Sequence, residues 1–218
     1  MPLASVPPLP QMAKPPNVIA GPVPPQFPTL AWNGLAIVGQ APGRQEAINK
    51  VPFTGPAGDL LDQILSHVGI ERSACFVMNP FLWQPNWTPM DNGSRRDNDI
   101  MQFFTNDMSR ANTMIHDGAT HRGQYVRSVN VGDLRYAWMV LKALQPRAIL
   151  AMGATALWFT TGEDRIGDKR GEILRTPIVD EVPVVATFHP ASALHKNSDQ
   201  KTIETIADDC RLVLPYLA

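Results

Sequence analysis

Three side chains stand in loops where they could recognise a flat, hydrogen-bonding ring. Phe53 lies between Pro52 and Gly55, where a rigidly held aromatic face could stack on a planar ligand for roughly 1–3 kcal/mol. Asn79 carries an amide, which offers both a donor and an acceptor. His189 carries an imidazole, which can donate a hydrogen bond near neutral pH in either protonation state. Together they suit the binding of a flat ring that carries hydrogen-bonding groups.

A glycine- and proline-rich loop, Gly39-Gln40-Ala41-Pro42-Gly43, precedes Phe53. Its glycines allow the backbone to turn tightly and to come close to a ligand. It is not a phosphate-binding P-loop, because no Gly-Lys-Ser/Thr follows, and its glycine spacing does not match the dinucleotide fingerprint. Taken alone, it could be an ordinary turn between a strand and a helix.

The elements that must position these loops alternate between strand and helix. Four apolar runs predict strands, at Leu35–Val38, Cys75–Met78, Arg147–Met152 and Val184–Thr187. Helical spacing of apolar residues predicts helices within residues 56–68, 97–116, 132–145, 154–159 and 199–214. The alternation predicts an α/β fold with a central, mostly parallel four-stranded sheet flanked by helices, an α/β/α sandwich. Loops that follow parallel strands meet at one sheet edge, where such folds bind ligands.

The distribution of proline and polar residues suggests how the chain is divided. Residues 1–30 are dense in proline, which favours extended backbone, and we expect a tail that is flexible or draped over the rest. Residues 31–218 are expected to form a single domain with a long insert around residues 80–130. Residues 162–182 resemble a turn-rich excursion.

The bulk composition excludes several classes of protein. A net charge of −1 gives no overall basic field that would indicate tight non-specific binding to nucleic acid. The chain has 2 cysteines, Cys75 and Cys210, too few for a disulfide framework or a zinc ribbon, so we expect no metal and a reducing, cytoplasmic environment. No apolar run is long enough to cross a membrane, and the N-terminus lacks the pattern of a signal peptide.

Three segments together resemble the uracil-DNA glycosylase superfamily, most closely its family 4. In that family the first loop runs Gly-Glu-Ala-Pro-Gly, a second segment runs Pro-Phe-x-Gly-x-Ala-Gly, and the last loop runs His-Pro-Ser. The matching segments here are Gly39–Gly43, Pro52–Gly58 and His189–Ser192, in which Ala191 is an extra residue. The resemblance covers roughly residues 33–215 and implies an enzyme that acts on DNA as a monomer and releases a flipped-out pyrimidine.

The resemblance implies roles for individual residues. Phe53 would stack on the base, Asn79 would read its Watson–Crick edge, and His189 would contact the pyrimidine O2 and stabilise the departing base. Gly39 and Ala41 would bring backbone close to the base. Contacts to DNA are expected from Ser192, Lys169 and Arg170, and from a wedge at Leu194 or His195. Each role has a structural alternative, such as a core-capping Phe53, a turn-forming Asn79 or a solvated hairpin tip at residues 169–170.

Position 40 departs from the family pattern and changes the expected chemistry. Gln40 stands where family 4 has a carboxylate, and Ala41 stands where family 1 has its water-activating Asp. A carboxylate there can stabilise positive charge on the sugar and orient water, whereas Gln40 can only hold water by hydrogen bonds. Glu46 is the nearest acidic substitute, and Asp59 is the other candidate. General-base assistance is typically worth 10²–10⁴-fold in rate, so its loss would slow the enzyme.

Two further departures concern a cofactor and the insert. Family 4 enzymes hold an iron–sulfur cluster with four cysteines, so the cysteine count here predicts no cluster and no other cofactor. The insert mixes aromatic residues with arginines, which suits contacts to nucleic acid or a lid that buries its own aromatics. Its notable residues are Trp83, Trp87, Arg95, Arg96, Phe103, Phe104, His121, Arg122, Tyr125 and Arg127.

Three functions are compatible with these features. The first is a monofunctional DNA glycosylase for uracil or for a modified pyrimidine, the latter with a possible role in defence against phages with modified DNA. The second is a DNA-binding relative that has lost catalysis because it lacks the carboxylate. The third, a nucleotide-binding protein unrelated to DNA, would need a phosphate loop that the sequence does not contain.

Overall fold

The central sheet places the loops that carry the candidate site. The computed structural model describes residues 2–91, 93–194 and 199–217. The strands in that part of the chain are β1 (Val18–Ala20), β2 (Leu35–Val38), β3 (Phe76–Met78), β4 (Gln84–Pro85), β5 (Thr88–Pro89), β6 (Arg95–Arg96), β7 (Phe104–Thr105), β8 (Ala111–Asn112), β9 (Tyr125–Arg127), β10 (Ala148–Met152), β11 (Ile173–Arg175) and β12 (Pro183–Thr187). The α-helices are α1 (Arg44–Asn49), α2 (Pro56–His67), α3 (Val131–Leu144), α4 (Ala154–Thr161), α5 (Ile166–Lys169), α6 (Ala191–Leu194) and α7 (Gln200–Arg211).

The main sheet has the strand order β11-β12-β10-β2-β3. Strands β12, β10, β2 and β3 are parallel to their neighbours, whereas β11 pairs antiparallel with β12. The parallel strands are buried along their whole length, as expected when helices cover both faces. The prediction of a mostly parallel sheet flanked by helices is confirmed. The structure adds β11 at the edge, within the segment that the sequence predicts to be turn-rich.

Alternate residues of the buried strands face two separate apolar layers. Along β2, Ala36 and Val38 pack into one cluster with α3, α4 and the insert. Leu35 and Ile37 pack into the other, with α2 and α7. This alternation follows from the two-residue period of a strand, and it fixes the register of the sheet between its helical layers. No helix among the described residues is long and apolar enough to span a membrane.

The insert folds differently from the predicted helix over residues 97–116, and that prediction is wrong. The segment forms 3-10 turns at Ile100–Phe103 and Ile115–Gly118 and the short strands β7 and β8. Side chains bind nearby backbone N–H groups and so compete with a helix, as Asp99 does for Met101 (3.1 Å). Phe103 and Phe104 are anchored on Phe81, at ring-centroid distances of 4.2 and 5.7 Å. Much of the insert is therefore a lid that buries its own aromatic residues.

The proline-rich N-terminal segment lies on the domain. Strand β1 pairs with β4, and the backbone N–H of Val23 donates to the Leu82 carbonyl (2.7 Å). Gln26 exchanges backbone hydrogen bonds with Val77 of β3, at 2.8 and 3.0 Å. Of the two expected states of this segment, flexible or draped, the structure shows the draped one.

A buried ion pair ties α7 to the segment before β11. The guanidinium of Arg170 makes two hydrogen bonds to the Asp209 carboxylate, at 3.0 and 2.7 Å. Thr187, at the end of β12, donates a third at 2.7 Å. Asp209 is only 2% exposed, so its charge depends on these partners.

We expect Arg170→Ala to lower the free energy of unfolding by about 2–3 kcal/mol. Losing one partner of a buried pair costs about 3–5 kcal/mol, and the partial exposure of this guanidinium reduces that figure. Chemical denaturation followed by circular dichroism measures the change. Lys169→Ala is the matched control, because its ion pair with Glu172 spans 3.8 Å at the surface and is worth at most about 1 kcal/mol. Equal stability of the two variants would contradict a structural role for Arg170.

Candidate active site

The carboxyl ends of four adjacent strands surround one cavity. Strand β2 leads into the Gly39–Gly43 loop, β3 into Asn79, β10 into Gly153, and β12 into Phe188 and His189. The cavity has a volume of about 960 Å³. It brings together seven of the residues that are given individual roles from sequence: Gln40, Ala41, Glu46, Phe53, Asn79, His189 and Leu194.

At the floor of the cavity, Gly39 leaves room for the Asn79 amide and the Phe53 ring to pack against the backbone. A methyl group at this position would overlap the Asn79 Oδ1 and would lie 2.7 Å from the ring of Phe53. Only a residue without a side chain therefore lets the amide and the aromatic ring approach each other across the backbone. Asn79 is 6% exposed, and no hydrogen bond from another described residue occupies its amide. The amide is thus free to bind a ligand in the cavity.

Phe53 is more firmly held than its loop position suggests. Its side chain is only 4% exposed and packs in the apolar layer with α2 and α7. Its backbone adopts a positive φ of 53°, and the Arg72 guanidinium donates to the carbonyls of Pro52 (2.8 Å) and Phe53 (3.1 Å). Arg72 also binds the side chains of Gln26 and Asp62. Phe53 is both a core residue and part of the cavity wall.

His189 has its proton on the nitrogen that is free to reach a ligand. Its ring lies nearly parallel to that of Phe53, with centroids 5.5 Å apart. The backbone N–H of Ala191 donates to Nδ1 (3.2 Å), so Nδ1 is the acceptor and Nε2 carries the proton. Burial lowers the pKa of His189 to about 4, which keeps the imidazole neutral at pH 7. Ala191, the extra residue relative to the family motif, supplies this contact.

Ser192 and Leu194 belong to the short helix α6 that follows His189. The Ser192 hydroxyl donates to the His189 carbonyl (2.7 Å), and its backbone N–H donates to the same oxygen (2.8 Å). A phosphate oxygen can only accept, so neither donor of Ser192 is available to it in this arrangement. Leu194 lies at the cavity, as a wedge would. His195, the other candidate wedge, lies outside the described residues.

Gln40 is half-buried in the cavity wall, and its side chain accepts a hydrogen bond from a residue outside the cavity lining. Its Oε1 accepts a hydrogen bond from the Thr155 hydroxyl (3.3 Å). The Thr155 hydroxyl also lies 3.3 Å from Nε2 of His121, which is fully buried in the insert. Gln40 is thus fixed by one residue at the start of α4 and, through it, by a second from the insert.

The two acidic candidates differ in their surroundings. Glu46 accepts a hydrogen bond from the Gly43 backbone N–H (3.0 Å), which closes the loop at the start of α1. Burial raises the pKa of Glu46, so its proton affinity is greater than that of a free carboxylate. Asp59 is exposed in the first turn of α2 and does not line the cavity.

The remaining DNA-contact candidates, Lys169 and Arg170, lie away from the cavity lining. Arg170 forms an ion pair with Asp209 and is therefore not part of a solvated hairpin tip. Lys169 pairs with Glu172 at the surface. A role for either in binding DNA stays a prediction.

Sequence reasoning missed several residues of the site. Thr155 belongs to the Gly153-Ala154-Thr155-Ala156 segment, and the sequence alone predicts no role for it in the site. Its position just after a strand of the site edge is a signal that could have identified it. Asn98 of the insert also lines the cavity, and nothing in its sequence context singles it out. Arg96, His121 and Arg122 are named from sequence as part of the insert, but no local pattern places them at this site. Trp87, Phe103 and Tyr125 do not line the cavity.

The cysteines do not fit an iron–sulfur cluster. Cluster ligation uses four thiolates, whereas Cys75 and Cys210 are the two that the chain contains. Burial raises the pKa of Cys75 to about 11 and that of Cys210 to about 12, which disfavours the thiolate form. Within the described residues, no group of three or more His, Cys, Asp or Glu side chains could hold a metal ion.

Comparison with known proteins assigns the chain to a family. The sequence model of the Uracil DNA glycosylase superfamily matches residues 33–211. A type-4 uracil-DNA glycosylase of Pyrobaculum aerophilum is 29% identical over 171 residues, which cover 75% of this chain and 69% of that protein. A type-4 uracil-DNA glycosylase of Archaeoglobus fulgidus is 25% identical over 171 residues, which cover 74% and 67%. With the cavity at the carboxyl edge of its sheet, the chain belongs to the uracil-DNA glycosylase superfamily.

Proposed function

We propose that this protein is a monofunctional DNA glycosylase that removes a flipped-out pyrimidine from DNA. One observation carries the proposal: a single cavity holds the ring of Phe53, the free amide of Asn79 and the imidazole of His189. In the reaction, the bond between sugar C1′ and pyrimidine N1 breaks, and its electron pair leaves with the base. Water adds to C1′ and gives up one proton to a base, and the departing pyrimidine anion takes up one proton from solvent, so the products are the abasic sugar and the neutral pyrimidine.

Each residue of the cavity has a role in this reaction. Phe53 supplies the stacking surface, and Asn79 pairs with a carbonyl oxygen and the ring N–H at the Watson–Crick edge. His189 donates its Nε2–H to the pyrimidine O2, where negative charge grows as the bond breaks. Gly39 and Ala41 let the backbone approach the base.

The attacking water lies on the side of Gln40 and Glu46 in this proposal. Gln40 carries no charge and cannot accept a proton from the water, whereas Glu46 is the group that can accept it. The raised pKa of Glu46 makes that carboxylate a better base than a fully solvated one. The DNA phosphates supply further negative charge, which stabilises the positive charge that develops on the sugar.

The test is release of uracil from a synthetic oligonucleotide. The purified protein is incubated with single- and double-stranded oligonucleotides that carry one uracil, and alkali then cleaves at abasic sites. We expect cleavage at the uracil position only. If no uracil or modified pyrimidine yields an abasic site, and the protein binds DNA equally well after His189→Ala, the protein is a non-catalytic DNA-binding relative instead.

A base larger than uracil is a second candidate substrate. Arg96, Asn98 and Arg122 of the insert line the same cavity, and they add polar groups beyond those needed for uracil. A substituent on ring carbon 5 that carries hydroxyl groups could bind there, as in a phage genome with modified cytosine. Parallel assays on uracil, hydroxymethylcytosine and glucosylated hydroxymethylcytosine distinguish the candidates. Action as a monomer inside the cell stays a prediction from sequence.

A further inference from the structure

A chain of three polar side chains runs from the insert to the cavity. His121 Nε2 lies 3.3 Å from the Thr155 hydroxyl, and that hydroxyl lies 3.3 Å from Gln40 Oε1. His121 and Thr155 are 0% and 1% exposed, so solvent does not compete for these hydrogen bonds. Gln40 Nε2, by contrast, has no partner among the described residues, and the side chain lines the cavity.

The surroundings of Gln40 are shaped to hold the whole side chain. Gly153 has a positive φ of 92°, and a methyl group there would lie 2.5 Å from Gln40 Nε2 and 3.1 Å from Cβ of His189. The absence of a side chain at 153 therefore makes the space that the amide occupies.

The direction of the hydrogen bonds follows from counting protons. The Thr155 hydroxyl has one proton, which it can give either to Gln40 or to His121. Burial lowers the pKa of His121 to about 4, so its ring is neutral and carries a single proton. Its Nδ1 is buried without a partner in the part of the chain that the structure describes.

A buried nitrogen without a partner is better tolerated as an acceptor than as an N–H donor. The proton of His121 therefore sits on Nε2, where it is donated to the Thr155 oxygen. Thr155 must then donate its own proton to Gln40 Oε1. With Oε1 occupied, the amide can turn only its NH₂ group toward the cavity.

We propose that Thr155 and His121 are positioning residues that orient Gln40 as a fixed hydrogen-bond donor to an oxygen of the bound nucleotide. This inference rests on the proposed function. As such a donor, Gln40 does not act as a weak general base in place of the family-4 carboxylate. It presents donors to a carbonyl, ring or phosphate oxygen where the family-4 resemblance leads one to expect an acceptor.

The first experiment measures single-turnover base release under the conditions of the oligonucleotide assay. We expect Thr155→Val to lower the rate by about 3–10-fold, which corresponds to one hydrogen bond, with the dissociation constant for DNA unchanged. Thr155→Ser keeps the hydroxyl and should retain the wild-type rate. In a Gln40→Ala background, Thr155→Val should have no further effect, because Thr155 acts through the amide.

Two results of that experiment would overturn the inference. One is a Thr155→Val enzyme as fast as the wild type. The other is a loss that is equally large with and without Gln40, which would indicate a general effect on packing. Thermal melting of each variant shows whether a slower rate merely reflects unfolded protein.

A second experiment needs no activity and so separates this inference from the proposed function. The ¹⁵N chemical shifts of the histidine rings identify which nitrogen carries the proton. We expect His121 at pH 7 to show a protonated Nε2 and an unprotonated Nδ1, and the Gln40 side-chain NH₂ signals to broaden or shift in Thr155→Val. A protonated Nδ1 would reverse the chain of hydrogen bonds and refute the inference, even if the enzyme excises bases.

Discussion

His189→Ala is expected to slow base release by about 10²–10³-fold, the usual effect of removing one hydrogen-bond donor from developing negative charge. The Ala191 N–H already occupies Nδ1, so Nε2–H is the donor that is lost. The stacking contact with Phe53, at 5.5 Å, is lost as well, but it affects binding more than the chemical step. Single-turnover kinetics at saturating enzyme measure the chemical step alone. A His189→Ala enzyme within threefold of the wild-type rate would exclude this role.

The same residue makes a prediction about pH. Because burial lowers the pKa of His189 to about 4, the native ring stays neutral while an unfolded ring, with a pKa near 6.5, takes up a proton. The unfolded state therefore binds more protons between pH 6.5 and 4, and stability falls as the pH falls through that window. We expect the wild type to lose about 1–2 kcal/mol more than His189→Ala across it, measured by urea denaturation. Parallel curves for the two proteins would contradict the neutral ring.

Gly39→Ala is expected to lower base release by about 100-fold or more while the fold survives. The added methyl group would overlap the end of the Asn79 side chain and would lie 2.7 Å from the Phe53 ring. The Asn79 amide can rotate away, so the protein should remain folded, but the amide and the Phe53 ring would move by about 1 Å or more. Misplacement of that size can cost about 100-fold in rate.

The control for this change is Gly167→Ala. Gly167 lies in the short helix α5, and apart from its chain neighbours and the helix's own backbone no atom is within 4 Å of the position that its methyl group would take. Alanine is also the better helix former, so this variant should be as stable and as active as the wild type. If Gly39→Ala is equally active, the close approach of Asn79 and Phe53 is not needed for catalysis.

The sheet was predictable because its central strands are continuous apolar runs. Leu35–Val38 and Val184–Thr187 are buried on both faces, and for that reason they consist almost entirely of apolar residues. Strand β11 has three residues, two of them exposed, and its pairing with β12 determines it more than its own sequence does. The insert was mispredicted because its apolar spacing mimics a helix, while side chains such as Asp99 bind the local backbone.

The site was predictable where one short segment carries both position and chemistry. Asn79 directly follows β3 and His189 lies two residues after the end of β12, so parallel topology alone brings them together. The contact of His121 with Thr155 joins residues 34 positions apart, and no local pattern encodes it. Arg170 illustrates the opposite case, since a charge that looks available for DNA in the sequence is held by Asp209, 39 positions away.

The contacts of Arg72 bear on where the catalytic unit begins. Its guanidinium holds the carbonyls of Pro52 and Phe53 and also binds the side-chain oxygen of Gln26 at 3.2 Å. A protein shortened to start at residue 31 would lose Gln26, and with it both the side-chain anchor and the backbone pairing with Val77. The proline-rich segment and the Phe53 loop are thus joined through Arg72, and we expect that trimming the segment would loosen the cavity wall that Phe53 forms.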